Sequence, residues 1–73
     1  MVDKNPHVVA FGKRVRELRK EKGISQENLA LMSGIDRSYM GKIERGEFNI
    51  TLIKIFLISD ALEVHVTDLF TDI

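Results

Sequence analysis

Seventy-three residues without a cysteine leave room for one small domain and exclude both a disulfide framework and a thiolate metal site. No apolar run approaches the ~20 residues needed to span a bilayer, no signal-peptide core opens the sequence, and His7 and His65 stand too far apart for metal-ligand spacing. A cytoplasmic protein with no membrane segment, no metal and no cofactor is therefore expected. The formal net charge of zero hides a division along the chain. Residues 1–46 hold ten Lys/Arg and six acids, a net +4, whereas residues 47–73 hold one Lys and five acids, a net −4. A basic end set against an acidic end suits a protein that offers one face to phosphates.

Residues 1–4 read as a short arm. Asn5-Pro6 then supplies a capping amide and a proline whose missing N–H costs nothing at the first helical position. Val8, Phe11, Val15 and Leu18 fall at i, i+3, i+7 and i+10, one stripe of a helix that ends at Gly23; Lys13, Arg14, Arg16, Arg19, Lys20 and Lys22 make the rest of it basic. Ser25 can cap a second helix, Gln26 to Ser33, with apolar residues at Leu29, Ala30 and Met32. Gly34 marks a sharp turn, because glycine enters positive φ without steric cost. Asp36 offers the next cap, and a third helix runs from Arg37 until Gly46 stops it. Two short helices so close in sequence need a small residue where they cross, and Ala30 fits. Met32, Met40 and Ile43 are expected in the core. Arg37, Ser38, Gly41, Lys42 and Arg45 form the outer face of the third helix, polar or small as an element entering a major groove requires.

Thr51 can cap a fourth helix reaching about Glu63, and a short fifth helix covers roughly His65 to Phe70. No segment alternates with period two long enough to be a strand. The expected fold is all-α: one compact five-helix domain over residues 1–73, with a helix-turn-helix at about 25–46 and helices four and five, residues 51–73, serving core and dimerisation. Leu52, Ile55, Ile58 and Leu62 make a core stripe on helix four. Ile53, Phe56 and Leu57 lie on a neighbouring stripe with nothing left to cover them, and Val66, Leu69, Phe70 and Ile73 add apolar surface. Such a patch on a small domain marks a partner surface. A homodimer through Ile53, Phe56, Leu57, Val66 and Phe70 is preferred, since a two-fold dimer also presents two reading helices side by side. The alternative is a wider core with Phe56 turned inward.

The stretch from Phe11 to Phe70 resembles the Cro and phage-repressor type of helix-turn-helix, the xenobiotic-response-element family. Its motifs are LRKEKGISQENLA, IDRSYMGKIERG and the closing ALEVHVTDLF. Within that family the chain looks most like the small controller proteins of restriction–modification systems. The resemblance implies a lambda-repressor-like DNA-binding fold. It also implies a phosphate contact from Gln26, base contacts from Arg37, Ser38, Tyr39 and Lys42, and a phosphate contact from Asn49. Arg19 would pair with Glu44 as a structural tie between the first and third helices. Chemistry agrees at the reading positions: Arg37 can pair bidentately with guanine O6/N7, Lys42 reaches the same acceptors a turn later, and Ser38 tolerates several bases. Arg45 reads as a phosphate-facing charge. Lys13 and Arg14 read as solvated, with phosphate contact as the alternative.

The function expected is a sequence-specific, dimeric transcriptional regulator on a pseudo-palindromic stretch of double-stranded DNA, autoregulatory and serving a restriction–modification locus. RNA polymerase is a possible partner, and the nucleoid the place of work. An antitoxin or other protein-interaction module on the same fold, or a phage-type repressor, remains open. An enzyme has no support, because no nucleophile–base constellation, metal cluster or phosphate-binding glycine loop is present.

Overall fold

Asn5 accepts the His7 N–H on its side-chain oxygen at 2.8 Å and starts helix α1, Pro6–Glu21. The structure is a computed structural model that describes residues 4–71. Residues 1–3 of the expected arm and Ile73 lie outside the described residues. Helix α1 closes through Gly23 at φ +69°, where the Gly23 and Ile24 N–H groups return to the carbonyls of Lys20 and Arg19. Ser25 accepts the Asn28 N–H to begin α2, Gln26–Ser33, and Gly34 at φ +70° turns the chain out of it. Asp36 accepts the Tyr39 N–H at the head of α3, Arg37–Glu44. Thr51 caps α4, Leu52–Leu62, and the last described element is a 3₁₀ turn, Val66–Phe70. That last turn is held by a reciprocal cap: the His65 ring nitrogen accepts from the Thr67 N–H, and Asp68 accepts from the His65 N–H. No strand occurs among the described residues.

The expected all-α order is present, with the fifth helix reduced to a 3₁₀ turn. Helix α1 packs on α3 and on the closing turn, while α2 packs on α3 and α4. Phe11, Val15, Leu18, Leu29, Ala30, Met40, Ile43, Ile58 and Leu62 fill the space between them. Three sequence expectations change. Met32 is not core; it is 55% exposed, because Leu29, Ala30 and Ser33 turn inward on α2 and Met32 falls outside that arc. Leu52, at the head of the α4 stripe, is 68% exposed, so the stripe enters the core only from Ile55 onward. Leu69 adds nothing to the exposed surface: it is fully buried, the one side chain with which the closing turn plugs the core. Phe56 is 47% exposed, so it does not turn inward.

A glycine inside a helix normally costs stability relative to alanine, yet Gly12 sits mid-way along α1 and is buried. A Cβ there would press on the carbonyl of Ile43 and lie 2.8 Å from that of Glu44, so α1 and the end of α3 touch backbone to backbone. Gly46 repeats the device: a Cβ would stand 2.7 Å from Val9 Cα, and its φ is +73°. Gly12→Ala should therefore destabilise the domain by about 1–3 kcal/mol despite the better helix propensity of alanine. Each kcal/mol lowers Tm by about 4–8 °C in a domain this small. Thermal melting followed by circular dichroism measures it; an unchanged Tm would mean that α1 can shift away from α3 at no cost.

Candidate nucleic-acid interface

The position of α3 is set by a buried ion pair. Arg19, near the end of α1, donates from Nε to Glu44 Oε2 at 2.8 Å and from Nη2 to Oε1 at 3.0 Å. Its third nitrogen, Nη1, donates to the Ile24 carbonyl at 2.9 Å. Gln26, the first residue of α2, donates its Nε2 to Glu44 Oε1 at 3.1 Å. One carboxylate on the last turn of α3 thus gathers α1 and α2. Removing two charges from water is costly, and the pair persists because both oxygens and all three guanidinium nitrogens find partners. Among the described residues no buried side-chain nitrogen or oxygen lacks a partner.

With its C-terminal end clamped, α3 presents its first turn outward. Arg37 and Ser38 are exposed, and with Gln26, Gly41 and Arg45 they line an open concavity of about 360 Å³. Gly41 supplies the floor: a Cβ there would lie 3.0 Å from Arg45 Nη1 and 3.5 Å from Gln26 Oε1, so the missing side chain lets both polar groups lie across the helix. Arg45 does not point at solvent alone. It donates from Nε to Glu47 Oε2 at 2.8 Å and from Nη2 to Oε1 at 3.3 Å. That hydrogen-bonded partnership holds the Glu47 carboxyl below the usual carboxylate range and raises Arg45. A depressed carboxylate stays ionised until the pH falls through its folded value, so the pair is intact at neutral pH.

Tyr39 and Lys42 are half-buried and lean on Phe48, in the loop after α3. Asn49 is exposed and borders a second concavity of about 240 Å³ with Asn5, Val8, Gly46, Glu47 and Phe48. Of the α1 cations, Lys13 is exposed, but Arg14 is not a solvated charge. Its Nε donates to the Asp68 carbonyl at 2.7 Å and fastens the closing turn to α1. On the opposite, acidic part of the chain Ile53, Phe56 and Leu57 share the outward face of α4, with Ile53 74% exposed. Val66 is half-buried, and Phe70 is exposed on one side while its ring meets Phe11 at 5.3 Å. No His/Cys/Asp/Glu group suited to a metal ion and no helix long and apolar enough to cross a membrane occur among the described residues.

A capped helix, a glycine turn and a second helix clamped from behind with its polar first turn outward define a DNA-binding helix-turn-helix. The chain belongs to that family: the helix-turn-helix family model matches residues 15–69. Family members of this kind are transcriptional regulators, not enzymes. The control protein C.MunI of a Mycoplasma species is 39% identical over 66 residues, covering 89% of each chain. The control protein C.BamHI of Bacillus amyloliquefaciens is 46% identical over 60 residues, covering 81% of this chain and 74% of its own. Among solved structures, the restriction-modification controller protein C.AhdI of Aeromonas hydrophila superposes with a TM-score of 0.85 at 51% identity, over 86% of this chain and 96% of that one.

Breaking the clamp is predicted to cost more than any surface change. Glu44→Ala leaves the Arg19 guanidinium buried without its counter-ion, a loss of about 3–5 kcal/mol from a total of about 5–15 kcal/mol for a natural domain. Replacing both partners with apolar residues, Arg19→Met with Glu44→Leu, should recover most of that stability. Urea unfolding distinguishes the two; a Glu44→Ala protein as stable as the parent would show that the pair holds nothing together.

Proposed function

We propose that the chain is a homodimeric, sequence-specific transcriptional regulator that controls a restriction–modification locus, its own gene included. The observation that carries the base-reading assignment is the exposed first turn of α3, where Arg37 and Ser38 project from a helix whose other end is fixed by Glu44. Arg37, Ser38, Tyr39 and Lys42 face the base edges in the major groove, and Gln26, Arg45 and Asn49 face phosphates. Gln26 divides its amide between the Glu44 bond and the concavity, so a phosphate placed there is tied through Glu44 to both other helices. Arg45 reaches a phosphate through Nη1, which lies over Gly41 at the concavity, while Nε and Nη2 hold Glu47.

The names and structures of the relatives support the controller assignment, because the similarity covers nearly the whole of C.AhdI. Dimerisation through Ile53, Phe56, Leu57, Val66 and Phe70 would cover apolar side chains that are exposed among the described residues, Ile53, Phe56, Leu57 and Phe70, together with the half-buried Val66. A two-fold pair then reads a pseudo-palindromic operator with two copies of α3. The regulator works on the nucleoid in the cytoplasm and acts on RNA polymerase at the promoter, by contact or by exclusion.

Arg37→Ala should weaken binding to the cognate duplex by about 1–3 kcal/mol and leave binding to unrelated duplexes nearly unchanged. Fluorescence anisotropy on both duplexes tests it. Equal losses on the two would reduce Arg37 to a phosphate contact and overturn its base-reading assignment.

A further inference from the structure

Phe48 lies beyond α3, in the loop that leads to Asn49 and α4. Its ring meets the Tyr39 ring at 5.1 Å between centroids, tilted by 38°. Lys42 places its Nζ 4.8 Å from the centre of the Phe48 ring, and Lys54, on the first turn of α4, places its Nζ 4.6 Å from the centre of the Tyr39 ring. Two cations and two rings from α3, the loop and α4 thus form one continuous set of contacts. It contains both assigned base readers that are half-buried, Tyr39 and Lys42, and leaves out Arg37 and Ser38, which are exposed.

We propose that Phe48 is a positioning residue for base reading, fixing Lys42 and Tyr39 in place before DNA arrives. The proposal rests on the reading of α3 as the base-contacting helix. A lysine has a long flexible stem, and ordering it on binding costs conformational entropy that an already ordered side chain does not lose. The partner that does the ordering matters. A carboxylate would hold the ammonium but neutralise it, and that pair would have to be broken on DNA. An aromatic face attracts the cation while leaving its charge and its N–H donors available. The neighbouring carboxylate that could capture Lys42 is Glu47, and Arg45 occupies both of its oxygens. Lys42 is therefore left on the ring, oriented and still cationic. Tyr39 is gripped from both sides of the sequence, by Phe48 from the loop and by Lys54 from α4.

The test uses the full chain and two duplexes, one enriched from a random pool by the chain itself and one a scrambled version of it. Phe48→Leu keeps an apolar side chain and removes the ring; Phe48→Tyr keeps the ring. Phe48→Leu should weaken binding to the enriched duplex about two- to fivefold, the size of an exposed cation–π contact, with the scrambled duplex nearly unaffected. Phe48→Tyr should bind like the parent, and in a Lys42→Ala background the Phe48→Leu loss should shrink. Equal losses on both duplexes, tighter binding by Phe48→Leu, or an undiminished loss in the Lys42→Ala background would overturn the proposal. If Lys42→Ala itself weakens both duplexes equally, the base-reading role of Lys42 fails first and positioning falls with it. If Lys42→Ala is selective while Phe48→Leu changes nothing, only the positioning role fails. A second measurement needs no folded variant: in the free parent protein the Lys42 ε-methylene protons should resonate upfield from ring shielding, and random-coil shifts there would equally overturn it.

Discussion

One carboxylate decides where the third helix lies. Glu44 receives Arg19 from α1 and Gln26 from α2, and it is buried with its guanidinium partner. In a low-dielectric interior neither ion tolerates the loss of the other, so the three helices are obliged to meet in one geometry. The backbone contact at Gly12 acts in the same place, bringing α1 against the carbonyls of Ile43 and Glu44. Charge pairing and close approach therefore fix the C-terminal end of α3, and its N-terminal end is what remains to project.

The proposed reading surface is divided accordingly. Arg37 and Ser38 stand in the open on the first turn, where side chains can adapt to the groove. Arg45 is engaged by Glu47, and Tyr39 and Lys42 rest against Phe48. In the proposed reading the carboxylate of Glu47 competes with a phosphate for Arg45, since it already engages Nε and Nη2 and offsets the charge. Such competition would lower the return from phosphate contacts alone and weight binding toward groups that read bases.

Much of this architecture was legible in the sequence because it is written in local signals. Asn5, Ser25, Asp36 and Thr51 each accept the backbone N–H that their positions promised. Gly23, Gly34 and Gly46 take the positive φ that their places after helices implied. The Arg19–Glu44 tie was implied by family resemblance and not by spacing, since 25 residues separate the two. Less legible was anything decided by tertiary approach. A short helix of eight residues gives too few turns to fix its inward arc, so Met32 reads as core although it faces out. Gly12 looks like a weak point in a helix until the carbonyls of α3 are seen beside it. Phe48 and Lys54 meet Tyr39 and Lys42 across a loop, where no periodicity operates. Likewise Arg14 reads as a surface cation, and only the fold brings the Asp68 carbonyl to it.

In the proposed function two copies of α3 read DNA together. Its most direct test is binding to a site enriched from random duplexes, measured against the same site with about 5 bp inserted between its half-sites. A two-fold dimer requires half-sites about one helical turn apart, roughly 10–10.5 bp centre to centre, and the insertion turns one half to the opposite face of the duplex. The expected result is a pseudo-palindromic site whose tight binding is abolished by the insertion. Unchanged affinity would show that each chain binds alone, and the dimeric reading would be wrong.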